Sequence, residues 1–116
     1  MSNTVESFRE HREQMNKRIL AGENKIIKRI FNLDTNAYRE GALPEVTKEM
    51  LGLATSMVLK CDDCVYYHLE RCYKLGVLKA QIFEVFSVAS LVGGTIIIPH
   101  LRKAVAFWES LEQENP

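Results

Sequence analysis

The chain has 116 residues, 47% of them apolar, which is enough for one packed domain over residues 1–116 with a modest core. Its 15 basic residues balance 15 acidic ones, so no net field is available to hold a nucleic acid or an anionic membrane, and neither is an expected partner. Three cysteines, an odd number, argue for thiols kept reduced except when they react; with a polar start from Met1 to Glu10 that offers no apolar run for secretion, this predicts a cytoplasmic protein.

From Thr4 to about Leu20 the sequence is rich in Glu, Arg, Lys and Gln, and Val5, Phe8, Met15, Ile19 and Leu20 give a thin apolar stripe at helical spacing. Ala21-Gly22-Glu23-Asn24 breaks that pattern. A second short helix carries Ile26, Ile27, Ile30 and Phe31 and is expected to end at Asn32 or Leu33, because Asp34-Thr35-Asn36 and then Arg39 to Pro44 are turn formers. A third helix is predicted from Glu45 to about Lys60, with acid at its start. Cys61-Asp62-Asp63-Cys64 follows, and Asp62 and Asp63 suit the positive first turn of a fourth helix over about Asp62 to Leu75, closed by Gly76 in a left-handed conformation.

A fifth helix, Lys79 to Val92, is apolar on nearly every side and stops at Gly93-Gly94; a sixth runs from about Thr95 to Gln113, with Pro99 tolerated near its start at the cost of a kink. The apolar stretch from Ile82 to Pro99 contains Glu84 and is cut by the glycine pair, leaving pieces too short for a bilayer of about 30 Å, so it reads as buried helix. It is either the centre of the bundle or the face of an oligomer. No segment alternates like a half-buried strand, and the expected fold is all-α, a bundle of about six helices.

Lys60 to His68 is the segment whose residues chemistry explains better than packing. Cys61, Cys64 and His68 stand at i, i+3 and i+7, which on a helix turning about 100° per residue is one face. An imidazole one turn from a thiol can take its proton and leave a thiolate. Zinc is disfavoured: on a continuous helix Cys61 and His68 are about 10 Å apart along the axis, no second ligand pair exists to complete a tetrahedron, and neither metal nor cofactor is expected. The flanking carboxylates argue against buried packing cysteines, whereas Cys72, His11 and His100 are assigned structural roles. A disulfide between Cys61 and Cys64 would close a very short loop at a helix start, as in thioredoxin-like enzymes, here with no strand beside it. If the chain reverses near Lys60, Glu49 comes within a turn of His68.

Glu49, eleven residues, Cys61-x-x-Cys64, three residues and His68, followed by a glycine-ended helix and Gly93-Gly94, resembles the alkylhydroperoxidase D-like branch of the carboxymuconolactone decarboxylase family over roughly Asn36 to Phe107. The resemblance implies an all-helical homo-oligomer, a trimer or hexamer, that reduces hydroperoxides with an external dithiol. In that scheme Cys64 is the peroxide-attacking thiolate, His68 its proton acceptor, Glu49 the relay carboxylate and Cys61 the resolving thiol. Cys61, nearer the helix start, is expected to be the more exposed sulfur. Peroxidase members carry a second histidine just before the second cysteine; Asp63 stands there in this chain, and an anion beside a thiol raises its pKa. A second reading is an oligomer that senses redox state or binds a partner without turnover. Decarboxylation of carboxymuconolactone generally goes without the cysteine pair, which this chain has.

Overall fold

The computed structural model describes residues 4–114, so the part of the polar start from Met1 to Asn3 lies outside the described residues. Helix is the regular structure throughout: α1 (Thr4–Leu20), α2 (Lys25–Ala37), α3 (Glu45–Val58), α4 (Asp62–Lys74), α5 (Lys79–Gly93), a 3₁₀ turn at Thr95–Ile97 and α6 (Ile98–Glu114). The all-α expectation of about six helices therefore holds. The chain divides into two compact units, Met1–Glu45 and Val46–Pro116.

In the first unit α2 starts where Asn24 caps it, the side-chain oxygen accepting the Ile27 N–H at 3.0 Å. Its end corrects the sequence reading, since the helix runs on through Asp34-Thr35-Asn36 to Ala37. Two of those turn formers bond backwards into the helix instead of ending it: Thr35 Oγ1 donates to the Phe31 carbonyl at 3.1 Å and Asn36 Nδ2 to the Asn32 carbonyl at 2.9 Å. No residue of α2 is buried.

The second unit holds the motif. Its core is formed by Leu53 and Met57 of α3, Leu69 and Cys72 of α4, Ile82 and Phe86 of α5, and Ala104, Phe107, Trp108 and Leu111 of α6, all buried. α4 lies along α6. Tyr66 stacks on Phe107 with ring centroids 4.4 Å apart, and Tyr73 meets Trp108 edge-on at 5.3 Å. α4 ends in a Schellman cap: the Val77 N–H reaches the Cys72 carbonyl at 3.0 Å and the Gly76 N–H that of Tyr73 at 3.1 Å, with Gly76 at φ 84° where a side chain would be strained.

α5 is buried along one side only, so within one chain it is not the all-round centre of the bundle that one of its two readings required. Ile82, Phe86 and Ala89 are buried, but Val88 is exposed, as are Leu91 at 85% and Val92 at 72%. A helix apolar all round needs neighbours all round, and one chain of this size covers a single stripe. Pro99 falls in the first turn of α6, where its missing N–H breaks no intrahelical bond, and the irregularity assigned to it is the 3₁₀ turn just before.

Cys72 is a free thiol with no exposed surface, in keeping with the structural role read from sequence. Burial, reinforced by the charge of Glu49, pushes its pKa from the ordinary 9.0 to about 12. Because the folded value is raised, its contribution to stability is fully present below pH 9 and is lost as pH rises toward 12. In the fully reduced native protein, alkylation at neutral pH should modify Cys61 and Cys64 and reach Cys72 only on unfolding; rapid labelling of Cys72 would contradict its burial. Phe107→Ala should lower the free energy of unfolding by about 3–5 kcal/mol in a urea titration, since it leaves a cavity and removes the ring on which Tyr66 stacks.

Candidate active site

The turn between α3 and α4 sets the first coordinates of the site. α3 ends at Val58 and α4 begins at Asp62, so only Leu59, Lys60 and Cys61 connect them. They form a second Schellman cap, in which the Lys60 N–H reaches the Met57 carbonyl at 3.0 Å and the Cys61 N–H the Ser56 carbonyl at 3.1 Å. The left-handed position is held by Lys60, at φ 59°, where glycine is the usual occupant; a residue with a Cβ pays roughly 1–2 kcal/mol there. Cys61 thus ends one helix cap and begins the next.

As N-cap of α4, Cys61 points its sulfur back over the first turn and accepts the Cys64 N–H at 3.3 Å. Cys61 and Cys64 are joined as a disulfide with Cα atoms 5.3 Å apart. Both sulfurs lie at the positive end of α4, which favours thiolate when the bond is open. Exposure corrects one expectation: Cys64 is the exposed residue and Cys61 the half-buried one, because capping draws the Cys61 side chain over the helix start. Asp63 is exposed as well, so solvent weakens its charge at the neighbouring thiol.

One turn beyond Cys64 stands His68, only 6% exposed, and its Nδ1 donates to Glu49 Oε1 at 2.8 Å. Glu49, 2% exposed, comes from the first turns of α3, which returns antiparallel to α4. The structure therefore brings together the carboxylate and imidazole that the sequence places nineteen residues apart. Glu49 has a second partner that sequence reading missed, Arg71, whose Nε lies 3.6 Å from Oε2. Arg71 follows His68 by three positions and so continues the face of Cys61, Cys64 and His68, a periodicity that could have identified it. A buried carboxylate between an imidazole and a guanidinium can orient the ring and stabilise it when it gains a proton.

His100, read from sequence as structural, ties the start of α6 to the start of α4. It lies in the first turn of α6, and its Nδ1 donates to Asp62 Oδ1 at 2.8 Å, while Lys103 Nζ donates to Asp62 Oδ2 at 3.1 Å. Burial alone would raise the Asp62 pKa, but the hydrogen bonds from His100 and Lys103 and their charges outweigh it and hold the carboxyl below its ordinary value. No sequence spacing announces this contact, which spans 38 residues. His11 is exposed on α1. Among the described residues no three His, Cys, Asp or Glu side chains are grouped to hold a metal ion, and no helix is long and apolar enough to cross a membrane.

Two crystal structures of a Thermotoga maritima protein share this fold with TM-scores of 0.90 and 0.88 at 47% identity, covering 93% and 92% of this chain and 95% and 91% of theirs. One describes that protein as a carboxymuconolactone decarboxylase family member suggested to be involved in an antioxidative response. A Legionella pneumophila protein of that family shares the fold at a TM-score of 0.79 and 21% identity, over 93% of this chain and 96% of its own. An uncharacterized protein of Cupriavidus necator is 29% identical over 75 residues, 65% of this chain and 66% of that relative. An uncharacterized protein from the cox locus of Paracoccus denitrificans is 27% identical over 75 residues, 65% of this chain and 68% of its own. The match takes in just under two thirds of the Cupriavidus protein's length. The model of the Carboxymuconolactone decarboxylase family matches residues 25–107, from the start of α2 into α6, and this chain belongs to that family.

Proposed function

We propose that the protein is a thiol-dependent peroxidase of the alkylhydroperoxidase D-like kind, which reduces a hydroperoxide at Cys64 and is restored by an external dithiol. The observation that carries this reading is the buried Glu49–His68 pair, with its 2.8 Å hydrogen bond, one helical turn from Cys64 and its disulfide partner. A carboxylate-oriented imidazole beside a redox-active pair is the equipment for moving a proton on and off a thiol. The Thermotoga maritima protein's suggested antioxidative role agrees with it.

In the proposed cycle His68 takes the Cys64 proton, with Glu49 and Arg71 stabilising the imidazolium. The thiolate attacks one peroxide oxygen; the S–O bond forms as the O–O bond breaks, and His68 returns its proton to the departing alkoxide, giving sulfenic acid and alcohol. Cys61 then attacks the sulfenic sulfur, forming the disulfide and releasing water. A dithiol donor supplies two electrons and two protons and leaves as its own disulfide. Its first attack falls on Cys64, the exposed residue, so that Cys61 departs as a thiolate received by the Cys64 N–H and the start of α4.

Self-association into a trimer or hexamer belongs to the same reading. It is supported by the uncovered Val88, Leu91 and Val92 and by an open apolar groove of about 430 Å³ lined by Met50, Leu51 and Ala54 of α3 and Val85 and Val88 of α5. A reducible pair and an odd cysteine suit a reducing compartment, so the proposed location is the cytoplasm. Carboxymuconolactone decarboxylation is not part of the proposal.

With Cys61→Ser, one equivalent of alkyl hydroperoxide should leave a sulfenic acid on Cys64 that a dimedone-type trap reveals by mass. Cys64→Ser should abolish peroxide consumption, His68→Ala should slow the attack by about 100-fold and Glu49→Gln by a smaller factor. Reaction of Cys64 no faster than that of free cysteine would defeat the peroxidase reading and favour a redox-sensing oligomer without turnover. Light scattering at micromolar concentration should find several subunits per particle; a clean monomer would remove the oligomer from the proposal.

A further inference from the structure

Asp62 adjoins Cys61 in the chain and lies two positions before Cys64, so an uncompensated charge on it would oppose thiolate at both sulfurs. Each of its oxygens has its own partner from α6, His100 on Oδ1 and Lys103 on Oδ2. This contact sits at one end of the α4–α6 packing, which also includes the aromatic contacts of Tyr66 on Phe107 and Tyr73 against Trp108. The other ionisable groups near this corner include Lys60, which precedes Cys61 and is exposed, Asp63, also exposed to solvent, and Tyr66, whose phenol is pushed up by burial and by the Asp62 charge and so stays neutral. Lys103 cancels the Asp62 charge, and a proton on His100 makes the group net positive.

We propose that Asp62, His100 and Lys103 form a charge clamp that sets how readily the Cys61–Cys64 pair ionises and where its disulfide–dithiol equilibrium lies. The three act through the thiols and are positioning residues. This deepens the thiol-redox reading above and rests on the pair cycling between disulfide and dithiol, while leaving open which oxidant closes it. The clamp supplies from α6 what Asp63 cannot supply from within the motif, a cation on the carboxylate that adjoins Cys61. It also ties the first turn of α4 to a second helix, so that Asp62 stays compensated when the disulfide opens.

The test compares Lys103→Met, Asp62→Asn, His100→Gln and Lys103→Arg with the unaltered protein, each checked for helicity by circular dichroism. Lys103 is 57% exposed, which makes its replacement tolerable to the fold. Two quantities are read without any peroxide. One is the pH dependence of iodoacetamide alkylation at Cys61 and Cys64 in the reduced protein, resolved by peptide mass. The other is the position of the equilibrium in which two glutathione thiols pass two electrons and their protons to the protein disulfide and become glutathione disulfide.

Lys103→Met should raise the alkylation midpoint and leave about threefold less thiolate below it; above the midpoint, where the thiolate is the main reduced form, it should move the equilibrium toward the protein disulfide by a similar factor. Asp62→Asn should move both quantities the opposite way. Lys103→Arg should match the unaltered protein. His100→Gln keeps a donor for Oδ1 but cannot carry charge, so any shift it shows should have the sign of Lys103→Met. Shifts of the same sign in Lys103→Met and Asp62→Asn are what a merely structural tie would give, and they would overturn the proposal, as would the absence of a shift in either. Opposite shifts in a protein that fails to turn over peroxide would remove the peroxidase reading and leave the clamp; normal turnover with no shifts would do the reverse.

Discussion

The three-residue turn between α3 and α4 is the constraint from which the site follows. Its Schellman cap fixes the Cys61 backbone against Ser56, while the Cys61 side chain fixes the first turn of α4 through the Cys64 N–H. One residue therefore closes one helix and opens the next, and the angle between them is not free. With that reversal set, Glu49 and His68 must face each other, and a buried polar group left without its partner would cost on the order of a few kcal/mol. The unfavourable left-handed Lys60 is the local cost of so short a connection.

Two carboxylate–histidine pairs then flank the cysteines, built alike and placed differently. Each carboxylate binds a ring nitrogen at 2.8 Å and also faces a permanent cation, Arg71 in one case and Lys103 in the other. The Glu49 pair lies in the interior, where a low dielectric strengthens its interactions and water cannot compete. The Asp62 pair is partly open to solvent, so its electrostatic influence is smaller and depends on salt. The inner pair suits proton transfer at a fixed geometry; the outer one suits adjustment of the thiols' surroundings.

Much of this was legible because it is local. α1 occupies the limits its stripe of apolar residues predicts, and Glu49 meets His68 because a reversal near Lys60 brings them within a helical turn of each other. What escaped depends on choices that sequence leaves open. Asp34, Thr35 and Asn36 can end a helix or bond back into it, and here Thr35 and Asn36 do the latter. Lys60 does not advertise a left-handed turn as glycine would. The meeting of Asp62 with His100 and Lys103 requires knowing that α6 returns alongside α4, a fact held in the packing of Tyr66, Phe107, Tyr73 and Trp108 and in no spacing within the motif. α5 advertised its apolar character correctly, but the number of faces one chain can cover is not written in the helix itself.

The sequence separations of the two pairs carry a consequence for how the folded molecule fluctuates. Glu49 and His68 close a loop of 19 residues, Asp62 and His100 one of 38. A doubling of loop length adds only about 0.6 kcal/mol of closure entropy, so chain connectivity hardly distinguishes them. Solvent access does. The outer pair can part by side-chain motion with water ready to replace each lost bond, whereas the inner pair can part only with the helix packing around it, in an opening close to global unfolding. The region around the cysteines should therefore loosen from its rim inward, with the first turns of α4 and α6 exchanging their amide protons well before the middle of α3, and the Glu49–His68 pair persisting until the core itself gives way.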